Sequence, residues 1–186
     1  MLLCCLPVSV LAEIDLIADI VPGAIIANYN ADAFSLEGSQ GKETMSLVSS
    51  VPSAEIGIAW QQPEGSIDLK AGVGALLNSR LMSYTMAVNL GLTLEMQPSI
   101  MIGPHIGMIY YSEPEWWGDG EITFSDSSGV TLGMHMNLGD KVAYMFSVDY
   151  YSAVFDIESI GAGWTTDQDE LDMSGLAFRF GIRAQF

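Results

Sequence analysis

From Met82 to Met96 the chain alternates without a break. Met82, Tyr84, Met86, Val88, Leu90, Leu92, Leu94 and Met96 share one parity; Ser83, Thr85, Ala87, Asn89, Gly91, Thr93 and Glu95 share the other. Successive side chains of a strand point to opposite faces, so this segment is a strand with one apolar face and one small or polar face. A period of 3.6 residues would spread the same residues over both sides of a helix. The last stretch, Leu171 to Phe186, repeats the pattern. Leu176, Phe178, Phe180, Ile182, Ala184 and Phe186 oppose Ala177, Arg179, Gly181, Arg183 and Gln185.

Six further segments read as strands. Ala54, Ile56, Ile58 and Trp60 oppose Glu55, Gly57, Ala59 and Gln61 in a strand over 46–61, where a parity change near Pro52–Ser53 predicts a bulge. Ile67, Leu69, Ala71, Val73 and Ala75 oppose Ser66, Asp68, Lys70, Gly72 and Gly74. Ile100, Ile102, Ile106, Met108 and Tyr110 oppose Gly103, His105, Gly107 and Tyr111. Val130 to Leu138 and Val142 to Tyr150 follow the same rule. At the N-terminal end the pattern is impure: Ile14, Leu16, Ala18 and Ile20 alternate with Glu13, Asp15 and Asp19, and Pro22–Gly23 breaks the run. The first strand is therefore placed around 22–31. That makes eight strands. Short connections at Gln62–Gly65, Gln97–Ser99 and Gly139–Asp140 alternate with longer ones at 32–44, 112–127 and 156–170.

Composition narrows the choice. Of 186 residues 49% are hydrophobic and the mean hydropathy is +0.32, yet the formal charge is −17. No uncharged apolar run reaches the ~18–20 residues of a spanning helix. Only six Lys and Arg are present and they do not cluster, which excludes nucleic acid as a partner. Both cysteines, Cys4 and Cys5, lie in the apolar segment Met1–Ala12, whose Val10–Leu11–Ala12 end reads as a signal-peptidase site. Residues 1–12 are thus read as a signal peptide and 13–186 as one barrel domain. No Lys or Arg precedes the apolar run, so this segment is either a truncated leader or an N-terminal strand.

Taken together, the predicted fold is all-β, an eight-stranded antiparallel up-and-down transmembrane β-barrel: an even number of strands, short turns at one end, longer loops at the other and apolar residues on alternate positions. The closing strand Leu171–Phe186, the stretch Ile102–Gly103–Pro104–His105–Ile106–Gly107 and the segment Gly129–Gly139 resemble the OmpA/OmpX-type outer-membrane β-barrel family. The resemblance implies a place in the bacterial outer membrane, contact with its lipid, and reading of the C-terminal aromatic Phe186 by the barrel-assembly machinery. The alternatives are a lipid-modifying barrel enzyme of the same membrane and a soluble lipocalin-like barrel. The second would carry its apolar face inside.

An eight-stranded barrel has an interior just wide enough for side chains to fill. Charges there must be paired or wet. By parity Glu55, Lys70, His105, His135, Asp149, Arg179 and Arg183 form a polar lumen network. Within it Glu55 pairs with Lys70, Asp149 with Arg179, and Asp68 or Glu95 answers Arg183 and Lys141. Ser147 and Asp149 share the inner face with His105 and His135, so a Ser–His–Asp set or a metal pair can be drawn. Two histidines without a third ligand are weak for zinc, and catalytic groups of a lipid-editing barrel must reach the leaflet. No catalytic, metal or cofactor site is therefore expected, and the function read from the sequence is that of a non-enzymatic barrel with a filled lumen. Trp60, Tyr144 and Phe186 are placed at one rim, and Tyr84, Tyr110, Tyr150 and Phe155 at the other. Trp116–Trp117, in an acidic glycine-rich loop, are the candidates for a surface contact, with an extracellular partner at the acidic loops.

Overall fold

The computed structural model describes residues 13–39 and 41–186, so the leader read at 1–12 lies outside the described residues. In chain order the strands are β1 (Ile14–Asn28), β2 (Ser35–Gly38), β3 (Gly41–Thr44), β4 (Val48–Ser50), β5 (Ser53–Gln62), β6 (Gly65–Leu77), β7 (Leu81–Gln97), β8 (Ile100–Trp116), β9 (Ile122–Phe124), β10 (Ser127–Gly139), β11 (Val142–Tyr151), β12 (Val154–Ile160), β13 (Trp164–Thr165), β14 (Glu170–Asp172) and β15 (Gly175–Gln185). Neighbouring long strands pair antiparallel, and β15 pairs back onto β1 to close a ring. β4 and β5 are two halves of one stave, parted at Val51–Pro52 where the sequence predicted a bulge, so the ring has eight staves. Closure leaves the ring no free edge.

The alternation that predicted β7 governs its exposure. Tyr84, Met86, Val88, Leu90, Leu92, Leu94 and Met96 are 42% to 65% exposed, whereas Ser83, Thr85, Asn89 and Thr93 are at most 4% exposed. Ile56, Val73, Met108, Leu132, Val142 and Phe178 extend the apolar outer face around the ring. A soluble barrel would have the reverse arrangement. The soluble lipocalin-like alternative is therefore set aside: this outer face is suited to lipid.

The first stave corrects the sequence reading. β1 begins at Ile14 rather than near residue 22, and it passes through Pro22. Below the proline Ile17, Asp19 and Val21 face inward; above it Ala24, Ile26 and Asn28 do. The register against β15 shifts between Ile20 and Gly23, so the parity flips there. Two regular half-patterns in opposite phase look impure when read as one.

The long connections are also more structured than polar loops. They build two small sheets, β13–β2–β3 and β14–β12–β9, over one end of the ring. Their inner faces hold Phe34, Leu36, Met45, Ile122, Phe124, Phe155, Leu171 and Met173, which join Leu76, Leu81, Tyr111 and Tyr151 of the upper wall in a single apolar core. Phe155 is fully buried in it, 5.3 Å from the Tyr111 ring, so it is not part of the rim where the sequence placed it. Leu171 belongs to β14 in this cap and not to the closing strand, which begins at Gly175.

Candidate functional site: the charged lumen

Below the cap the inner face carries charge. β1 supplies Asp19, β5 Glu55, β6 Asp68 and Lys70, β8 His105, β10 His135, β11 Ser147 and Asp149, and β15 Arg179 and Arg183. Each stands at the inward parity of its stave, which the period of two dictates once the outer face is apolar.

The ionic groups form a continuous chain. Arg183 grips Asp19 in bidentate fashion, Nε to Oδ1 at 2.9 Å and Nη2 to Oδ2 at 3.0 Å, while its Nη1 donates to Asp68 Oδ2 at 2.6 Å. Lys70 Nζ lies 2.7 Å from Asp19 Oδ2 and 2.8 Å from Glu55 Oε2. Arg179 Nη2 donates to Glu55 Oε1 at 2.6 Å and to Ser53 Oγ at 3.2 Å. Charge thus alternates from Asp68 through Arg183, Asp19, Lys70 and Glu55 to Arg179. Charge-assisted bonds of this kind are strong while both partners are present; removing one leaves a buried ion uncompensated.

Glu55 and Lys70, paired in the sequence reading, are in contact. Arg183 takes Asp68, whereas Lys141 and Glu95 lie exposed at the turn end. Asp149 and Arg179 form a long ion pair rather than a close one. Arg179 stands opposite Ser147 and Asp149 opposite Ala177, so the two are displaced along the ladder. Their nearest approach is 4.0 Å, and Arg179 instead reaches across the lumen to Glu55. Counting residues from the chain end misjudged the register, because Ala184, two residues before that end, already pairs with Val142, the first residue of β11.

Asp149 Oδ2 accepts from Ser147 Oγ at 2.8 Å, and His105 Nε2 lies 2.9 Å from its Oδ1 without the angle of a hydrogen bond. Ser147 therefore donates to the carboxylate and not to a histidine, and a nucleophilic serine needs the histidine. The His105 and His135 rings lie 5.4 Å apart, and His135 Nε2 meets Thr93 Oγ1 at 2.9 Å. Among the described residues no group of three or more His, Cys, Asp or Glu is arranged to hold a metal. The interior includes two cavities of about 20 Å³ each. One, lined by Asp68, Lys70, His105, His135, Arg179 and Arg183, is polar and of a size for a single water.

Two carboxylates essential to this geometry were missed as site residues. Asp19 was lost with the misplaced first strand, although its parity with Ile17 was legible. Glu43, in the cap, gives no signal in sequence at all. Of the tryptophan pair, only Trp117 is well exposed. Trp116 is tucked under the cap, its ring 5.7 Å from Phe34 and its indole N–H donating to Glu43 Oε2 at 3.0 Å. The two do not form a common exposed surface, because adjacent residues at the end of β8 point to opposite sides.

No protein-family model matches the sequence, and no curated protein matches it in a sequence search. Solved structures do match. The outer membrane protein OprG from Pseudomonas aeruginosa aligns over 94% of this chain and 97% of its own at 12% identity, with a TM-score of 0.56. The outer membrane protein AlkL, determined by solid-state NMR in DMPC lipid bilayers, aligns over 97% and 94% at 9% identity, with a TM-score of 0.50. With its apolar outer wall and closed eight-stave ring, the chain has the fold of the β-barrels of bacterial outer membranes.

Proposed function

We propose that the protein is a non-enzymatic, non-conducting outer-membrane barrel that acts structurally or through its loop end. The observation that carries this reading is the filling of the lumen. The turn-end half holds the ionic chain from Asp68 to Arg179, and the loop-end half holds the apolar core around Tyr111, Tyr151 and Phe155. An open channel needs a continuous wet path, and the cavities between these side chains include two of about 20 Å³, each of a size for a single water. The short turns face the periplasm in this reading, as in other transmembrane barrels, and the acidic cap faces outward. Of the candidate contact residues, Trp117 at 50% exposure is the one that meets an extracellular partner. The exposed terminal Phe186 is the recognition point for the assembly machinery. The finer likeness to the OmpA/OmpX type rests on that closing strand.

Purified protein in planar bilayers tests the central claim. The expected result is no stable conductance from the wild-type monomer. Reproducible nanosiemens-scale openings would overturn it.

A further inference from the structure

One carboxylate bonds to three other segments at the cap. Glu43, on β3, is 6% exposed and is surrounded by donors from other segments. Its Oε1 accepts the Asp119 N–H at 2.8 Å and lies 3.2 Å from Arg80 Nη1. Its Oε2 accepts the Trp116 indole N–H at 3.0 Å and the Gly120 N–H at 3.2 Å. A single side chain of the first loop thereby ties down the β6–β7 turn, the end of β8 and the loop before β9. The fourth loop is joined to the same hairpin by β13, through Trp164↔Gly38 and Thr165↔Glu37.

The receiving loop is shaped for this hairpin. A Cβ on Gly118 would stand 2.1 Å from Glu43 Oε2, and one on Gly120 would stand 2.1 Å from Leu36 Cδ2. The Gly118–Asp119–Gly120 run therefore serves as a socket: its missing side chains admit Glu43 and Leu36, and two of its N–H groups bind the carboxylate. The hairpin shares no ladder with the ring: β2 pairs with β3 and β13, and neither β2 nor β3 pairs with a stave. Phe34, Leu36 and Met45 at its base plug the chamber above Tyr111 and Tyr151.

We propose that the β2–β3 hairpin is a lid over the loop end of the barrel and that Glu43 is its latch. Removing the latch leaves the buried Gly120 N–H and the part-buried Trp116 and Asp119 donors without their acceptor, a penalty confined to the cap. The lid then opens as a local unit while the ring, whose ladders it does not share, stays closed.

Hydrogen exchange read by mass spectrometry on the folded full chain in detergent tests this. Glu43→Ala is expected to speed exchange at least tenfold in segments 31–46 and 116–122, with β7, β10 and β11 unchanged and the heat-modifiable gel shift retained. Glu43→Gln, which keeps one acceptor, falls between Glu43→Ala and wild type. Glu37→Ala, which removes only the exposed pair with Lys42, leaves both segments as in wild type. The latch is overturned if Glu43→Ala exchanges no faster than Glu37→Ala. It is equally overturned if the acceleration spreads evenly through the staves, or if neither Glu43 variant yields a heat-modifiable barrel, since the residue would then support the whole fold.

Discussion

Asp19 and Arg183 stand directly opposite each other across the β1–β15 ladder, and their side chains form a bidentate pair inside the ring. That ladder joins the first and last staves, so a contact between residues 164 apart in sequence pins the seam of the barrel. Arg183→Ala leaves Asp19 and Asp68 without their guanidinium, and a broken buried pair costs about 3–5 kcal/mol. The expected outcome in urea unfolding from lipid vesicles is a loss of that size. Asp19→Asn in the Arg183→Ala background should cost much less than the sum of the single changes. Strict additivity would show that the two groups do not share an interaction.

Arg179 couples to Glu55 more strongly than to Asp149, since the contacts are 2.6 Å and 4.0 Å. A double-mutant cycle on Glu55 and Arg179 should return an interaction energy in the range of about 0.5–3 kcal/mol, and the cycle on Asp149 and Arg179 a smaller one. The reverse order would contradict the register of β15 on β11.

Leu90 lies mid-stave on the lipid face and Asn89 beside it faces the lumen at 4% exposure. Leu90→Arg should destabilise the inserted barrel by roughly 2–4 kcal/mol, the cost of a cation near the bilayer midplane. Folding yield into vesicles of increasing hydrocarbon thickness checks this, because the penalty grows with distance from the interface. Unimpaired insertion in thick bilayers would mean that residue 90 does not face lipid.

Gly103 has no room for a side chain: a Cβ there would stand 1.7 Å from the Leu92 carbonyl oxygen. That oxygen is backbone, so relief requires β7 and β8 to part. Gly103→Ala is expected to cost about 1–3 kcal/mol in the same unfolding assay, the usual range for overpacking. Gly41, whose Cβ would meet nothing within 4 Å, is no control for it, because its φ of +141° makes any side chain strained there.

The cap has its own pH dependence. Burial pushes the Glu43 carboxyl upward, but the Asp119, Trp116 and Gly120 donors and the Arg80 charge outweigh it and hold the group below its ordinary value of 4.5. A folded-state value lower than the unfolded one gives stability that is full above the ordinary value and is lost as pH falls through the folded value. The cap should therefore stay closed on mild acidification and loosen only below pH 4.5. Tryptophan fluorescence of wild type against Trp116→Phe would locate that transition. In Glu43→Gln the acid-dependent step should be absent.

Much of the ring was legible because lipid imposes a strict rule. Every outward residue of a stave must be apolar, so β6, β7, β8, β10 and β11 announced themselves by parity and the lumen residues followed by elimination. Trp116 shows where that reasoning stops. Its neighbours in sequence are loop-like, and only the packing of Phe34 and Phe124 against it turned an apparent surface residue into part of the cap.

Sequence by itself thus determined the number of staves, which face of each regular stave meets lipid, and which charged residues of those staves share the interior. A period of two encodes each of these locally. Which charges meet was decided only by tertiary structure, because partners in a closed ring depend on strand register and tilt. The flip of phase at Pro22 placed Asp19 beside Arg183, and the offset of β15 on β11 set Arg179 closer to Glu55 than to Asp149. The latch at Glu43 belongs to the same class. Its four partners come from segments some 37 to 77 residues away, and no local pattern can record a contact between parts of the chain that only closure of the ring brings together.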